Sequence, residues 1–282
     1  MNKVTIVTLA DAKAQKQPIT MVTAYDATMA RIVDDAGVDT ILVGDSLGMV
    51  VGGMDNTLEV LVDDIAYHCR AVRRGASRPL LIADMPFMSY QASVEQAVQN
   101  AGVLVQKGRA EAVKLEGGES IVPQIRAIVS AGVPVVGHVG LTPQAVNAMG
   151  GFKVQGRDER AAEQVLADAE AVVAAGAFMV VLEGIPKELA ARITAALPVP
   201  TIGIGAGVDC DGQVLVCTDL LGMNPDFKPR FVRRFADGYG LMRSAFEAYV
   251  EAVKTREFPA ASESFAMPGN KPRPGGELKR LY

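Results

Sequence analysis

Short apolar runs recur along the chain at roughly even intervals. Each is followed by a longer stretch in which apolar residues return with helical spacing. The runs that predict strands are Ile19–Ala24, Thr40–Val43, Leu80–Ala83, Ala112–Leu115, Val133–Gly137, Phe178–Leu182, Thr201–Ile204 and a weaker Val214–Cys217. They lack the in–out alternation of a half-exposed sheet and read as strands of a parallel sheet covered on both faces. Between them the pattern predicts helices over Ala27–Ala36, Val62–Arg74, Ser93–Lys107, Ile121–Ala131 and Ala161–Ala175, each followed by a glycine. A Gly just past the last periodic residue is the expected helix stop, because it reaches positive φ without a Cβ clash. Arg230–Lys254 predicts a long last helix, and residues 259–282, rich in Pro, Gly and charge, predict an extended tail. About eight strand–helix units make this an α/β chain and favour a single closed (β/α)8 barrel. The count alone leaves an open doubly wound sheet possible. No linker divides the chain, so residues 1–258 are expected to form one barrel domain with an N-terminal extension.

The chain has 282 residues, of which 49% are hydrophobic, which suits one large core; about 250 residues are typical of such a barrel. A net charge of −4 gives no basic stripe of the kind nucleic-acid binding requires. No apolar run reaches the ~18–20 residues that span a bilayer. The first residues, MNKVTIVTLADAKAQKQ, have no signal-peptide core or cleavage site. Cys69, Cys210 and Cys217 are scattered and form no CxxC pair, which reads as reduced thiols in a cytoplasmic protein.

The chemistry sits where the apolar runs end. Asp26, Asp45–Ser46, Asp84, Glu116, His138, Glu183 and Asp219 each follow or close such a run. In a (β/α)8 barrel those positions form the active-site face, so acids from several strands would converge on one mouth. Any one Asp has a plainer reading as the cap of the next helix; Asp45, Asp84, Glu116 and Glu183 together are hard to explain that way. Lys114 and Glu116, two apart in a strand, must point to the same face, into the barrel. A buried lysine needs a partner, so Lys114 either pairs structurally with a carboxylate or supplies positive charge to an anionic substrate. A carboxylate cluster repels itself and any anion unless a hard cation intervenes, and Mg²⁺ takes one or two carboxylates together with water and substrate oxygens. Asp45 and Asp84 are the best placed pair. His138 reads as structural or as a site residue; His68 falls within a helix pattern.

Read in order, MVTAYD, ILVGDSLGMVVGG, ADMPF, VKLEGG, VPVVGHVGLTPQ, VLEGIP, IGIGAG and CDGQVLVCTDLLG resemble the motifs of ketopantoate hydroxymethyltransferases, from about Thr5 to about Phe265. The resemblance implies a TIM barrel of the phosphoenolpyruvate/pyruvate superfamily type, commonly a homodecamer. It implies transfer of a hydroxymethyl group from 5,10-methylenetetrahydrofolate to 3-methyl-2-oxobutanoate through a Mg²⁺-stabilised enolate. By motif it implies Mg²⁺ at Asp45 and Asp84 with Glu116 beside it. It also implies substrate contacts from Asp45, Ser46, Asp84, Lys114 and His138, and Glu183 as the proton acceptor. One departure, Glu263 in FPAASESF, lies in the tail. The nearest rival is a Mg²⁺-dependent C–C lyase or mutase of the same superfamily, but the chain has neither the loop cysteine nor the phosphate site typical of those enzymes. A non-catalytic 2-oxo-acid sensor would have no use for Glu183.

Overall fold

A computed structural model describes residues 2–267. Eight parallel strands follow one another around a closed barrel. They are β1 (Ile19–Thr23), β2 (Thr40–Val43), β3 (Leu80–Asp84), β4 (Ala112–Glu116), β5 (Val135–Gly140), β6 (Met179–Glu183), β7 (Thr201–Ile204) and β8 (Gly212–Leu215). The barrel closes through β1 and β8, paired from Ile19 with Gly212 to Val22 with Leu215. Successive side chains of a strand face opposite ways, and two apolar clusters result. Ile41, Val43, Leu81, Ala83, Val113, Leu115, Val180 and Leu182 pack outward against the helices. Ile19, Met21, Leu42, Leu80, Ile82, Ala112, Val136, Met179, Val181, Ile202 and Val214 fill the interior.

The other end of that interior is plugged. Thr5 caps a helix over Ile6–Ala14, and Leu9 of that helix is buried in the interior cluster together with Val4. Lys3 reaches the carbonyl of Pro79 just before β3, and Lys13 pairs with Asp211 just before β8 at 2.7 Å. The plug thus lies at the N-terminal ends of the strands.

Several element boundaries differ from the sequence pattern, and three of these differences have a local cause. β5 begins at Val135, two residues late, because Pro134 has no N–H for the ladder; it runs on to Gly140, so His138 lies inside the strand. β8 begins at Gly212, two residues early, and the Cys217 N–H turns to Thr23 Oγ1 to start a short helix over Cys217–Leu220. The last long helix starts at Gly238, where Asp237 accepts from the Gly240 N–H. Residues 230–236 instead form turns, with the Phe235 N–H donated to Leu220 O.

The chain divides into two compact units, Met1–Ala236 and Asp237–Tyr282. In the second, the helix Gly238–Lys254 buries no residue and exposes Leu241, Phe246 and Tyr249. The expected tail over 259–282 lies, from residue 268 onward, outside the described residues. Among the described residues, no helix is long and apolar enough to cross a membrane.

Gly212 is required at the closing seam. A Cβ there would stand 2.3 Å from the Ile19 carbonyl oxygen and 2.6 Å from Ile202 Cδ1. Gly212→Ala should therefore wedge β8 away from β1 and lower stability by about 1–3 kcal/mol, the usual cost of overpacking. A denaturant midpoint equal to the parent's would show that the seam has slack.

Candidate active site

The inward-facing rows of β3, β4, β5 and β6 change character at their C-terminal ends. Inward positions that carry Ile82, Ala112, Val136 and Val181 lower down carry Asp84, Lys114, Glu116, His138 and Glu183 higher up. Strand register sets them side by side: Asp84 is aligned with Lys114, Glu116 with His138, and Gly140 with Glu183. The i, i+2 spacing that placed Lys114 and Glu116 on one face therefore holds.

Lys114 is the hub. Its Nζ lies 2.8 Å from Asp84 Oδ1, 3.7 Å from Glu116 Oε1 and 3.1 Å from His138 Nδ1. Burial alone would lower the lysine's pKa, but Asp84, Glu116 and Asp45 together hold it above its usual value. Asp45 follows β2 in a tight turn, with the Leu47 N–H donated to Gly44 O. Its own N–H donates to Asp84 Oδ2 at 3.1 Å. Burial, then the charges of Asp84 and Glu116, push the Asp45 carboxyl well above the usual range. Asp84 is raised too, burial outweighing its lysine partner. For Glu116 the balance reverses. Burial pushes it up, but Lys114, His138 and the Gln144 N–H bring it below the usual value.

His138 meets opposing demands. Nδ1 lies 3.1 Å from the lysine, which only donates, and 3.4 Å from Glu116 Oε1, which only accepts. Burial and Lys114 lower its pKa, yet the contacts with Glu116 and Glu183 prevail and bring it to about 9. The lysine contact by itself favours a neutral ring with Nδ1 accepting. In either state Nε2 carries hydrogen, and it stands 3.2 Å from Glu183 Oε2. Gly140, at φ +94, lets the next strand end approach Glu183: a Cβ there would be 2.4 Å from the Glu183 carbonyl oxygen, which the Leu141 N–H uses at 2.8 Å.

Ser46 is half-buried, its Oγ 2.9 Å from Tyr25 OH. His68 lies in the helix Val62–Gly75 and bonds the Tyr25 carbonyl. Asp26 takes the plainer role of helix cap, accepting from Thr28 N and Met29 N, and Asp219 lies in the short helix Cys217–Leu220. Two polar residues were not singled out from the sequence. Gln144 bonds both Asp45 and Glu116, and Tyr90 bonds Gln144 and the Glu116 backbone. The HVGLTPQ motif contains Gln144, but nothing in its spacing points at acids far away in the chain.

Among the described residues no three His, Cys, Asp or Glu side chains are arranged to hold a metal ion together. The charge balance nonetheless fits a divalent cation. With all four ionised, Asp45, Asp84, Glu116 and Glu183 would outnumber one lysine and one protonated imidazole by two negative charges. The raised Asp45 and Asp84 carboxyls relieve that surplus by holding protons, and a divalent cation would relieve it in their place. Two adjacent carboxylates, Asp45 and Asp84, with the remaining positions left to water and substrate, match what Mg²⁺ accepts.

The same barrel occurs in phosphonopyruvate hydrolase bound to oxalate and Mg²⁺, at a TM-score of 0.60, 14% identity and 93% of each chain covered. It occurs also in 2,3-dimethylmalate lyase, a PEP mutase/isocitrate lyase superfamily member, at a TM-score of 0.57 and 15% identity over 93% of this chain and 91% of that one. At the sequence level the chain is 53% identical to the 3-methyl-2-oxobutanoate hydroxymethyltransferase of Clostridium beijerinckii, over 99% of this chain and all of that one. It is 54% identical to the enzyme of that name from Pelobacter propionicus, over 93% and 97% of the two chains. The family model for ketopantoate hydroxymethyltransferase matches residues 3–261. With that match spanning every strand of the barrel and every acid at its mouth, the chain belongs to the ketopantoate hydroxymethyltransferase family.

Proposed function

We propose that the protein transfers a hydroxymethyl group from 5,10-methylenetetrahydrofolate to 3-methyl-2-oxobutanoate, giving 2-dehydropantoate and tetrahydrofolate. Family membership supports the 2-oxo acid as acceptor. The observation that carries the residue roles is a difference in access among the acids. The Glu183 side chain keeps 20% of its surface, against 2% for Asp84 and 3% for Glu116. A general base must reach the proton it takes, and Glu183 is the acid a substrate in the mouth can touch.

Asp45 and Asp84 would hold a divalent cation, Mg²⁺ in the first instance, with Glu116 in its immediate surroundings. When bound, such a cation supplies Lewis-acid stabilisation of the charge that develops on the 2-oxo oxygen. Glu183 takes the proton from substrate C3, and the C–H electron pair moves toward the carbonyl. His138, with Nε2 at 3.2 Å from Glu183 Oε2, is the cationic neighbour of the base when its ring is protonated. Lys114 balances negative charge that the acids leave over. Ser46, steadied by Tyr25, binds the substrate carboxylate beside Asp45. C3 then bonds to the one-carbon unit of the folate in its iminium form, and water displaces the folate nitrogen to leave the hydroxymethyl group.

The test is to incubate the protein with both substrates and Mg²⁺ and to follow 2-dehydropantoate by mass spectrometry, with an EDTA control. Product that vanishes with EDTA supports both the activity and the metal. No product from folded protein with Mg²⁺, Mn²⁺ or Co²⁺ would exclude the transferase and turn attention to C–C lyase substrates. Asp84→Ala should raise the Mg²⁺ concentration needed for half-maximal rate by tenfold or more, on the order of what a lost ligand-shell partner costs. The parent's own requirement should fall as pH rises, because protons held by the raised Asp45 and Asp84 carboxyls compete with the cation. A pH-independent Mg²⁺ titration would count against both residues as ligands. Self-association into a decamer belongs to the same proposal. The exposed apolar face of the helix Gly238–Lys254 supports it, and light scattering on the eluted protein measures it.

A further inference from the structure

We propose that Gln144 is a positioning residue, which holds Asp45 by its Oδ2 so that Oδ1 is the oxygen offered to the divalent cation. This rests on the proposal above that Asp45 is a ligand of that cation. Gln144 sits in the single turn Pro143–Ala145 that follows β5, and only 4% of its surface is exposed. Its Nε2 donates to Asp45 Oδ2 and to the Met85 carbonyl, both at 2.9 Å. Its Oε1 accepts from Tyr90 OH at 2.8 Å and from Gln91 Nε2 at 3.2 Å. Its backbone N–H donates to Glu116 Oε2 at 2.9 Å. One residue thus joins the loops after β2 and β3 to the end of β4.

The amide can point only one way. A carbonyl and a carboxylate accept and never donate, so the Met85 oxygen and Asp45 Oδ2 both demand the NH₂ end. The Gln91 amide nitrogen only donates and demands the oxygen end. Tyr90 fits the same direction. Its hydroxyl accepts from the Glu116 N–H at 3.1 Å, which leaves its one proton to give, and the nearer acceptor is Gln144 Oε1 rather than Glu116 O at 3.0 Å. A directed chain therefore runs from the Glu116 backbone through Tyr90 and Gln144 to Asp45. Such chains polarise each member and strengthen the bonds. Tyr90 is fully buried and Asp45 is 5% exposed, so no water replaces a lost link cheaply. The hydrogen-bond pattern also separates two neighbouring acids. Glu116 has Oε2 engaged by Gln144 and Oε1 near Lys114 and His138, whereas Asp45 has one oxygen held and one left over.

The experiment is calorimetric titration of Mg²⁺ into the full chain without substrates, alongside a thermal melt in EDTA. The proteins compared are the parent, Gln144→Met, Tyr90→Phe and Asp84→Ala. Gln144→Met keeps the length and loses every side-chain hydrogen bond; it should weaken Mg²⁺ binding about tenfold or more, as loss of a partner behind a ligand does. Tyr90→Phe removes one hydroxyl from a ring of the same size and should weaken binding in the same direction by a smaller factor. If Gln144→Met fails to fold, Tyr90→Phe decides. Lowered melting temperatures with parent-like Mg²⁺ affinity would mean that Gln144 only packs, and would overturn the proposal. If Asp84→Ala loses Mg²⁺ while both Gln144→Met and Tyr90→Phe bind it normally, the metal assignment stands and the role of Gln144 falls. A parent protein that binds no Mg²⁺ would overturn both.

Discussion

Glu183→Gln should fold, bind the 2-oxo acid and Mg²⁺ as the parent does, and lose about 10²–10⁴-fold in kcat, the range that general-base catalysis contributes. The substitution is nearly isosteric, and the strand end that carries it is fixed by backbone bonds: the Gly184 N–H to Ile204 O and the Leu141 N–H to Glu183 O. What changes is confined to one oxygen. An amide cannot take the C3 proton, although its Oε1 can still face His138 Nε2. Binding should survive because the other polar groups at the mouth, Asp45, Ser46, Asp84 and Lys114, are untouched. Rapid-quench turnover beside equilibrium binding of 3-methyl-2-oxobutanoate gives the split. A kcat within a fewfold of the parent would remove Glu183 from the role of base, and loss of binding with little loss of kcat would make it a substrate contact instead.

Lys114→Met should be among the most destabilising single changes in the barrel. Methionine matches the stem and fills the space, so packing is largely kept. The charge is not: Asp84, Glu116 and Asp45 are left buried without their cationic partner. Breaking a buried ion pair from one side typically costs about 3–5 kcal/mol. The pH dependence identifies the cause. Without Lys114, Asp45 and Asp84 hold protons more tightly, with pKa values further above those of the unfolded chain, and Glu116 loses the foremost of the contacts that keep its own below. The folded state then binds more protons than the unfolded one, so stability falls as pH rises from the ordinary carboxylate range through the raised values. Urea unfolding in EDTA should show a larger deficit relative to the parent at pH 8 than at pH 5.5. An equal deficit at both would point to lost packing rather than stranded charge.

Much of the scaffold was legible because it rests on local rules. Continuous apolar runs mark strands buried on both faces, glycines mark where helices stop, and the period of two along a strand put Lys114 and Glu116 on one side. The features that escaped depend on partners far away in sequence. The helix Ile6–Ala14 has little sidedness of its own and is anchored by single residues that meet the barrel floor, Leu9 foremost. β8 is four residues long and takes its register from β1, so its apolar text alone misplaces it by two residues. The start of the last helix is set by the Asp237 cap, which an uninterrupted polar–apolar pattern obscures. At the mouth, the acids were visible because each closes an apolar run. Gln144 and Tyr90 were not, since an amide and a phenol in loops acquire meaning only when four strand ends are brought together. His138 has two readings in the sequence, and register decides its neighbourhood: pairing β4 with β5 puts it opposite Glu116, and pairing β5 with β6 brings it to Glu183.

The plug at the N-terminal end of the barrel bears on the order of events in turnover. Leu9 and Val4 close that end, and the interior between floor and mouth is filled with side chains, as is usual for this architecture. Among the described residues, the candidate site is therefore approached from the C-terminal ends of the strands. On the proposed reaction, a small 2-oxo acid that reaches the acids at the mouth would enter before a bulky pterin covers them, and the hydroxymethylated acid would leave only after the carrier. The order expected of the proposed reaction is therefore small acid in first, carrier second, carrier out, enlarged acid last.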